Sequence, residues 1–415
     1  MTIAVLGGGA AGLMAAATIL EMDPEARILL VERNDRLGKK VLMTGGGRCN
    51  VTTGLDDIQA ILSRYPRGGK FFASALRRFP PEAVRAWFEM HGVPLKIEKD
   101  GRVFPKSDRG GDVVRVFERL FESSRIRLFL NTSVSRVKKQ GGIFRIFFEE
   151  QQEPLQADKL ILVTGGQAYR HTGSTGDGYA FADSLGHTIT KLAPSLSALL
   201  TRETWPTSIS GLSFPKVRLM ARDNKSLSSI GPFLFTHKGI SGPAVFALSS
   251  LTAFETYSAR QPMKVSIDFF PDFSQEKIRE EIQKNITFNP KRSFVNALAG
   301  IVPKSLSEIC LREVALPGDR HAGEIGKKEM ARCATWLKGA LLSVVGRVAG
   351  DEFVTAGGVD LKEINPITME SKICSGLFIA GELLDIDGFT GGFNLQACWA
   401  TGRAAGGGAV LNQKK

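Results

Sequence analysis

The chain has 415 residues, which is too long for one ordinary hydrophobic core, so we expect two or three domains. Its 43% hydrophobic and 23% charged residues are typical of a globular protein and exclude a disordered chain. The formal net charge of +12 fits an anionic partner such as nucleic acid, or only solubility, and composition leaves both open.

The sequence predicts a cytoplasmic protein without a membrane span. Its apolar opening stretch lacks the basic segment of a signal peptide, and no later run has the length that a spanning helix needs. The five cysteines are widely spaced and contain no CxxC, which argues against a disulfide framework and a zinc site. We therefore expect a reducing compartment and no metal.

The first predicted unit is a strand, a helix and a second strand. They are "TIAVLG", "AAGLMAAATILEM" and "ARILLVE", and a GxGxxG pattern joins the first two through Gly7, Gly9 and Gly12. In such a unit the first glycine makes a tight turn, the second admits a pyrophosphate and the third packs helix on strand. Glu32, an acid at the end of the second strand, is placed to bind ribose hydroxyls. The unit predicts a dinucleotide site without separating NAD from FAD.

A second glycine cluster follows in "RNDRLGKKVLMTGGGRCN". It comes too soon after the second strand for the alternating strands and helices of a hydride-transferring dehydrogenase domain. A loop here, with Lys40 and then Gly45 to Gly47, can pass along a pyrophosphate and reach a flat ring system. The position of this cluster favours FAD.

Several further elements follow in order. "PPEAVRAWFEMHG" and "DVVRVFERLFES" have the apolar spacing of helices. "IRLFL", "SVSRVKK" and "IFRIFFEE" are predicted strands, with "QGG" as the turn between the last two. "DKLILVTGG" is a buried strand that ends in two glycines, and "TGDGYAFADSLGH" is a helix that stops at Gly186.

The middle of the chain has a different texture and is predicted to be an insertion. Its short strands and turns are typical of a small barrel or sandwich, and residues 274–337 are predicted to be helical, with Ser305 and Glu308 as a capping box. The end returns to a strand, a glycine-rich turn and an alanine- and glycine-rich helix. The predicted domains are 1–190 with 351–415, 191–273 with 338–350, and 274–337.

Five motifs give the chain a specific resemblance. They are "GGGAAGLMAA", "GKKVLMTGGGRCNVT", "TGSTGDGYAFADSLGH", "FTHKGISGPAVF" and "IAGELLDIDGFTGGFNLQACWATG". Together they resemble the BaiN-like and aminoacetone-oxidase-like family of bacterial FAD-dependent oxidoreductases, over essentially the whole chain. The resemblance implies an α/β fold in which a glutathione-reductase-type, Rossmann-like FAD-binding domain is interrupted by a β-barrel domain that carries a small helical domain.

The resemblance also implies which residues hold FAD. It places Val134 against the adenine, Gly381 and Glu382 near the ribityl chain, and the start of the last helix at the flavin ring, where the helix dipole can stabilise a negative charge. The residues assigned to FAD in this way are Gly7, Gly9, Ala10, Ala11, Gly12, Glu32, Arg33, Lys40, Thr44, Gly46, Gly47, Arg48, Cys49, Asn50, Val134, Thr164, Gly165, Gly166, Gly381, Glu382, Gly391, Gly392, Asn394, Leu395 and Gln396.

Catalytic residues are harder to identify. Cys49 is a candidate redox partner of the flavin, since Arg48 beside it would favour a thiolate, but a small residue packed near the ring is the alternative. His171 and His237 lie in glycine-rich loops and are candidates for proton transfer, against a structural role for each. With no second GxGxxG unit, NAD(P)H would have to dock transiently as the donor, or the electrons arrive otherwise.

Three functions remain open. The first is oxidation or reduction of a small organic molecule. The second is reduction of uridine to dihydrouridine in ribosomal RNA, which the resemblance implies for some members. The net charge favours it, as does "RYPRGGKFFASALRRF", where cations alternate with rings that could stack on bases unless those rings face the core. The third is a flavin-binding protein without turnover. The oligomeric state is not predicted.

Overall fold

The computed structural model describes residues 1–122, 125–150, 153–224, 227–350 and 352–411. The chain divides into two compact units. The first unit is Met1–Ser195 with Glu352–Lys415, and the second unit is Leu196–Asp351. Within the described residues, no helix combines the length and the apolar character needed to cross a membrane.

The elements up to residue 195 are mostly short. The strands are β1 Thr2–Leu6, β2 Arg27–Val31, β3 Thr52–Thr53, β4 Leu95–Ile97, β5 Arg102–Pro105, β6 Ile126–Phe129, β7 Val134–Gln140, β8 Ile143–Phe148, β9 Leu155–Ala157, β10 Lys159–Leu162 and β11 Ala193–Ser195. The helices are α1 Ala10–Met22, α2 Lys39–Met43, α3 Ile58–Leu62, α4 Gly69–Arg78, α5 Pro81–Met90, α6 Gly110–Glu122 and α7 Asp177–Ser184, with 3₁₀ turns at Thr44–Gly47 and Arg170–Thr172.

The rest of the chain carries the other elements. The second unit has β12 Leu199–Thr201, α8 Trp205–Ser208, β13 Ser213–Ala221, β14 Ser228–Thr236, β15 Gly239–Ser241, α9 Pro243–Leu251, β16 Met263–Asp268, α10 Gln275–Phe288, α11 Phe294–Leu298, α12 Lys304–Glu313, α13 Lys327–Leu337 and β17 Ala340–Arg347, with a 3₁₀ turn at Ala322–Glu324. The first unit resumes with β18 Val354–Ala356, β19 Leu377–Ile379 and α14 Phe393–Leu411, with 3₁₀ turns at Leu361–Glu363 and Gly381–Leu383.

A parallel five-stranded sheet is the centre of the first unit. Its order is β19-β10-β1-β2-β6, so the late strand β19 extends a sheet that the first residues begin. Its central strands are almost wholly buried, as expected for parallel strands covered on both faces. This order brings the ends of β1, β10 and β19, each followed by glycines, to one edge of the sheet.

Helix α14 lies very close to helix α1. A Cβ atom at Gly402 would lie 2.3 Å from the Ala11 carbonyl oxygen, and one at Gly406 would lie 2.4 Å from that of Ala15. Two glycines four residues apart therefore let the two backbones meet on one helix face. The glycine- and alanine-rich composition of α14 follows from this packing.

The second unit contains a closed antiparallel barrel of order β12-β15-β14-β13-β16-β17. Helices α10 to α13 lie between β16 and β17 in the chain and share one hydrophobic core with the barrel strands. The predicted α/β fold with an inserted barrel is confirmed. The three-domain division with the stated boundaries stays a prediction. Residues 351 and 412–415 of that division, and Ser123 of the predicted "DVVRVFERLFES" helix, lie outside the described residues.

The predicted capping box at Ser305 and Glu308 is wrong. Helix α12 begins at Lys304 after Pro303, so Ser305 lies inside its first turn and makes no capping hydrogen bond. The proline just before the helix fixes the backbone φ but supplies no side-chain acceptor, so α12 begins without a side-chain cap. The nearest side-chain cap before it is Ser274, whose Oγ accepts a hydrogen bond from the Lys277 backbone N at 3.1 Å.

Candidate functional site

The three glycines of the first loop lie in different surroundings. Gly7 has φ of +114°, and a Cβ atom there would lie 2.4 Å from the Val163 carbonyl oxygen. A Cβ atom at Gly12 would lie 1.9 Å from the Gly7 oxygen, whereas one at Gly9 would meet no atom within 4 Å. Gly7 and Gly12 are therefore fixed by packing, and Gly9 leaves open space at the start of α1. That arrangement fits a pyrophosphate approaching Gly9.

Glu32 is buried and holds the loops around it. Its Oε2 accepts a hydrogen bond from the Gly8 backbone N at 2.7 Å, and its Oε1 accepts bonds from the Asn34 backbone N at 2.8 Å and Nδ2 at 2.6 Å. A ribose hydroxyl here would share an acceptor that already has protein partners. Beside it lies a surface pocket lined by Leu6, Gly7, Val31, Glu32, Arg33, Thr132, Val134, Thr164, Gly173, Asp177 and Phe181.

Arg33 lines the same pocket as Gly7 and is engaged by the turn before α7. Its Nη1 donates a hydrogen bond to Thr175 Oγ1 at 2.5 Å and lies 3.3 Å from an Asp177 carboxylate oxygen. Its role here is to fix the turn before α7.

An ion pair joins distant parts of the chain at the sheet edge. Lys40 Nζ in α2 donates to Glu382 Oε2 at 2.6 Å, and the Thr355 backbone N donates to Glu382 Oε1 at 3.0 Å. Thr355 Oγ1 in turn accepts a hydrogen bond from the Gln167 backbone N at 2.7 Å. The loop after β2, the loop after β10 and the turn after β19 therefore meet here. A Cβ atom at Gly166 would lie 2.9 Å from Glu382 Oε1, so the contact requires glycine there.

The second glycine cluster is a left-handed loop. Gly45, Gly46 and Gly47 have φ of +59°, +70° and +88°, values that favour glycine. Gly45 packs on the Phe104 ring, but a Cβ atom at Gly46 would meet nothing within 4 Å. The backbone at Gly46 is therefore accessible to a flat ligand.

The side chains that follow this loop are engaged within the protein. Arg48 Nη1 donates to Glu98 Oε1 at 2.7 Å, and the Arg48 guanidinium lies 3.8 Å from the centre of the Phe104 ring. Asn50 Oδ1 accepts a hydrogen bond from the Val103 backbone N at 3.1 Å. These contacts hold the second glycine loop against β5 and the residues around it.

Cys49 does not have the environment of a reactive thiolate. Its side chain is fully buried, and burial raises the pKa of the thiol to about 12. The charge of Arg48 is directed to Glu98 and Asp108. The expected stabilisation of a thiolate by Arg48 is therefore wrong, because burial disfavours the charged thiolate and the Arg48 charge is paired with two carboxylates.

The last glycine loop is fixed by two amide side chains. Asn394 Oδ1 accepts a hydrogen bond from the Gly388 backbone N at 2.8 Å, and Asn394 Nδ2 donates to the Gly388 oxygen at 2.7 Å. Gln396 is fully buried, accepts from Thr52 Oγ1 at 2.6 Å and donates to the Phe79 oxygen at 2.8 Å. Both side chains position the start of α14.

The two candidate histidines lie in different units. His171 is exposed in the 3₁₀ turn after β10, with its ring edge-on to Tyr169 at 5.6 Å. His237 is exposed in the turn between β14 and β15. Only His171 shares a compact unit with the glycine loops.

Two aspartates before the last glycine loop gave no recognisable signal in the sequence. Asp387 is buried, forms a two-point ion pair with Arg67 and accepts a hydrogen bond from Ser195 Oγ at 2.9 Å. Asp385 Oδ1 is buried and has no hydrogen-bond partner within the part of the chain that the structure describes. Burial raises the pKa of the Asp385 carboxyl, and the charge of Asp387 acts in the same direction. In the sequence the two aspartates appear as "DID" before "GFTGG", a pattern that does not by itself indicate a site.

Most rings of the basic stretch lie in the protein interior. Tyr65, Phe72 and Phe79 are buried, which is the alternative to base stacking that the sequence left open, and Phe71 is half-buried against the same core. The exposed side chains of this stretch are cationic: Arg64, Lys70, Arg77 and Arg78. The stretch is tied to the last glycine loop, because the Phe389 backbone N donates to the Arg64 oxygen at 2.9 Å and Tyr65 OH donates to the Phe393 oxygen at 2.6 Å.

The residues present fit FAD. Open backbone occurs at Gly9, between β1 and α1, and at Gly46, directly after α2, and the ion pair of Lys40 joins α2 to the end of β19. Thr164 Oγ1, which lines the pocket beside Glu32, is buried without a hydrogen-bond partner among the described residues. A long cofactor with a phosphate centre and a flat end matches these features in kind and in order.

Sequence comparison gives full-length relatives. The family described as "HI0933-like protein Rossmann domain" matches residues 1–408. A "3-dehydro-bile acid delta(4,6)-reductase" from Clostridium scindens is 31% identical and covers 97% of this chain and 98% of its own. A "Ribosomal RNA dihydrouridine synthase" from Haemophilus influenzae is 31% identical and covers 96% of each chain.

Comparison with solved structures supports the same fold. The FrdA chain of a mutant Escherichia coli quinol fumarate reductase has a TM-score of 0.51 at 16% identity, covering 99% of this chain and 70% of that one. The 3-ketosteroid delta1-dehydrogenase of Sterolibacterium denitrificans has a TM-score of 0.52 at 12% identity, covering 99% and 100%. At these identities the likeness concerns the fold alone.

Proposed function

This chain belongs to the HI0933-like family of Rossmann-domain proteins, and from that membership we propose that it is an FAD-dependent oxidoreductase that reduces a carbon–carbon double bond conjugated to a carbonyl group. The observation that carries the proposal is the meeting of three glycine-bearing loops around Lys40, Glu382 and Thr355. A single cofactor reaches all three loops when it lies across the carboxyl edge of the sheet.

The names of two relatives support the type of bond. Dihydrouridine is uridine in which a ring double bond conjugated with a carbonyl has been reduced. A 3-dehydro-bile acid with unsaturation at positions 4 and 6 is a conjugated ketone as well. The two names describe one chemistry on different molecules, so the conjugated carbonyl is the common element of the proposed substrate.

The chain's own residues would bind and orient the cofactor. Gly7, Gly9 and Gly12 would hold the pyrophosphate. Glu32 and the pocket beside it, which Val134 lines, would hold the adenosine. Gly45–Gly47 and the start of α14 would hold the flavin ring. When bound and reduced, FAD would supply the hydride chemistry for a conjugated double bond, and an acid would have to supply the accompanying proton. The catalytic acid is not assigned; His171 and Asp385 are the titratable side chains of the first unit that merit a test.

We propose NAD(P)H as the donor, docking transiently, because the sequence has one dinucleotide fingerprint and the family fold uses it for FAD. A cytoplasmic location fits the five free cysteines. Both proposals are independent of the identity of the substrate.

RNA is the second candidate substrate, and one observation favours it. The exposed cations Arg64, Lys70, Arg77 and Arg78 belong to the stretch that hydrogen-bonds to the last glycine loop. Phosphates flanking a target base would meet positive charge next to the proposed flavin site. The buried rings Tyr65, Phe72 and Phe79 cannot stack on bases, so the argument depends on the exposed cations.

The experiment is an anaerobic reduction and reoxidation. The FAD-loaded protein is reduced with NADH or NADPH, a 4-ene-3-ketosteroid or a uridine-containing RNA is added, and flavin absorbance is followed while products are analysed by mass spectrometry. We expect reoxidation with one of the two acceptors and a product heavier by two hydrogens.

Three outcomes would contradict parts of this proposal. A colourless protein that takes up no FAD would remove it entirely. Flavin that binds but is never reduced, by either nucleotide or by dithionite, would favour a non-catalytic flavin-binding protein. Reduced flavin that reacts with neither acceptor would remove the conjugated carbonyl as the substrate class.

A further inference from the structure

Tyr169 has an unusual backbone conformation. Its φ and ψ are +57° and +53°, in the left-handed region that bulky residues avoid. It follows β10 and its glycines and begins the 3₁₀ turn Arg170–Thr172. Such strain persists only where surrounding structure or function holds it in place.

Burial does not account for Tyr169 as it does for similar residues. Leu196 and Met369 also have positive φ, but their side chains are 1% and 0% exposed, so packing of the whole side chain offsets the strain. The Tyr169 side chain is only half-buried. Packing of the half-buried Tyr169 side chain therefore offsets less of the backbone strain than packing of a fully buried side chain does.

The ring of Tyr169 is nevertheless well oriented. It stacks on the Phe353 ring with a centroid distance of 5.7 Å and an angle of 8° between the planes. The His171 ring stands edge-on to it at 5.6 Å. Two parallel aromatic rings, one backing the other, form a flat platform of the kind that binds planar molecules.

The platform belongs to the proposed flavin site. Gly166, three residues before Tyr169, packs against Glu382, and the Gln167 backbone N donates to Thr355 Oγ1 at 2.7 Å. After Tyr169 in the chain, the Thr172 carbonyl oxygen accepts a hydrogen bond from Asn34 Nδ2 at 2.9 Å. The loop is therefore anchored on both sides of Tyr169, at groups of the proposed cofactor site.

We infer that Tyr169 is a specificity-determining residue whose ring, backed by Phe353, stacks on the planar conjugated ring of the substrate. This inference rests on the proposed function, since it takes a planar unsaturated carbonyl compound as the ligand. A nucleobase and a steroid enone share that chemistry. The strained backbone sets the direction in which the ring points.

The test compares Tyr169→Gly with Tyr169→Phe. Glycine accepts the left-handed conformation and removes the ring, whereas phenylalanine keeps the ring. Met369→Gly is the matched control, because it relieves the same kind of strain but removes a fully buried side chain. Each FAD-loaded variant is titrated with a 4-ene-3-ketosteroid and with a uridine-containing RNA hairpin, and flavin absorbance, FAD content and Tm are recorded.

For the probe that perturbs the wild-type flavin, we expect Tyr169→Gly to bind at least tenfold more weakly at unchanged FAD content, with Tm equal to or above the wild-type value. Tyr169→Phe should bind within twofold of wild type, and Met369→Gly should lose Tm. Wild-type affinity in Tyr169→Gly, or a loss of Tm like that of Met369→Gly, would overturn the inference about Tyr169 and leave the proposed function unaffected. A wild-type protein that binds FAD but responds to neither probe would overturn the proposed substrate class and the platform with it.

Discussion

Among single residues, some glycines of the first loop are needed for folding and another is needed for ligand binding. Gly9 has φ of −81° and an open Cβ direction, so the folded protein has no need of glycine there. Gly7 has positive φ and a backbone oxygen in the Cβ position. The two positions should respond differently to the same substitution.

We predict that Gly9→Ala leaves the Tm of the FAD-free protein unchanged but weakens FAD binding by about tenfold or more, equal to about 1.4 kcal/mol. The added methyl group would occupy the space that a pyrophosphate needs. FAD titration by fluorescence and thermal unfolding measure the two effects.

Gly326→Ala is the control for that measurement, since Gly326 also precedes a helix with φ of −81°, its Cβ position meets no atom closer than 3.8 Å, and it lies in the second unit. Gly7→Ala should instead lose stability, by about 1–3 kcal/mol. Unchanged FAD affinity in Gly9→Ala would contradict the placement of the pyrophosphate.

Asp385 should give the protein a measurable pH dependence. Burial and Asp387 raise its folded pKa above the unfolded value, so the folded state binds this proton more tightly. As the pH rises from the ordinary aspartate value of about 4 through the folded pKa, the stability from that proton is lost. We expect Asp385→Asn to remove this part of the decline in the free energy of unfolding.

Urea unfolding at a series of pH values measures the effect, and Asp183→Asn, at an exposed position of α7, is the control. The wild type and the control should decline alike, while Asp385→Asn declines less. Parallel profiles for all three proteins would show that Asp385 titrates as in the unfolded chain.

Between elements, the contact of α1 with α14 depends on the absence of side chains. Gly406 lies against the Ala15 carbonyl oxygen, whereas the neighbouring Gly407 meets only the flexible Met22 sulfur at 3.4 Å. The helix therefore offers two adjacent glycines, one required by packing and one not.

We expect Gly406→Ala to destabilise the protein by about 1–3 kcal/mol, because the helices must move apart to admit a methyl group. Gly407→Ala should be neutral or stabilise by up to about 1 kcal/mol, since alanine favours the helix more than glycine does. Chemical denaturation of both variants checks the pair. Equal effects at the two positions would mean that helix propensity, and not the close contact, decides.

For the whole molecule, the net charge of +12 has a specific consequence if RNA is the substrate. The salt dependence of binding reports the number of phosphates that cations neutralise. We predict that replacing four cations with glutamine lowers the slope of log K against log salt by about 3. The four are Arg64, Lys70, Arg77 and Arg78.

A charge-matched variant provides the control. It removes four exposed cations from the helical segment of the second unit: Lys304, Arg312, Lys327 and Lys328. FAD content should be unchanged in both variants. An equal fall of the slope in the two would mean that net charge alone draws the protein to RNA, and no change in either would remove these cations from the interface.

The sequence by itself determined the parts of this protein that depend on local spacing. The strand–glycine–helix pattern around Gly7, Gly9 and Gly12 predicted the first unit of the fold, because close packing and phosphate approach need glycine at fixed intervals. The change of sequence pattern after residue 190 predicted an inserted barrel or sandwich, since short strands and turns have their own local pattern, and the choice of a barrel came from the family resemblance.

Only the tertiary structure decided the contacts that complete the site. Lys40 and Glu382 are 342 residues apart, and Arg67 and Asp387 are 320 apart, so no local pattern links them. The burial of Cys49 and of the rings beside the exposed cations, and the backbone of Tyr169, likewise depend on what packs around them. The physical reason is that charge pairing, burial and strain are set by neighbours in space, which the order of residues does not specify.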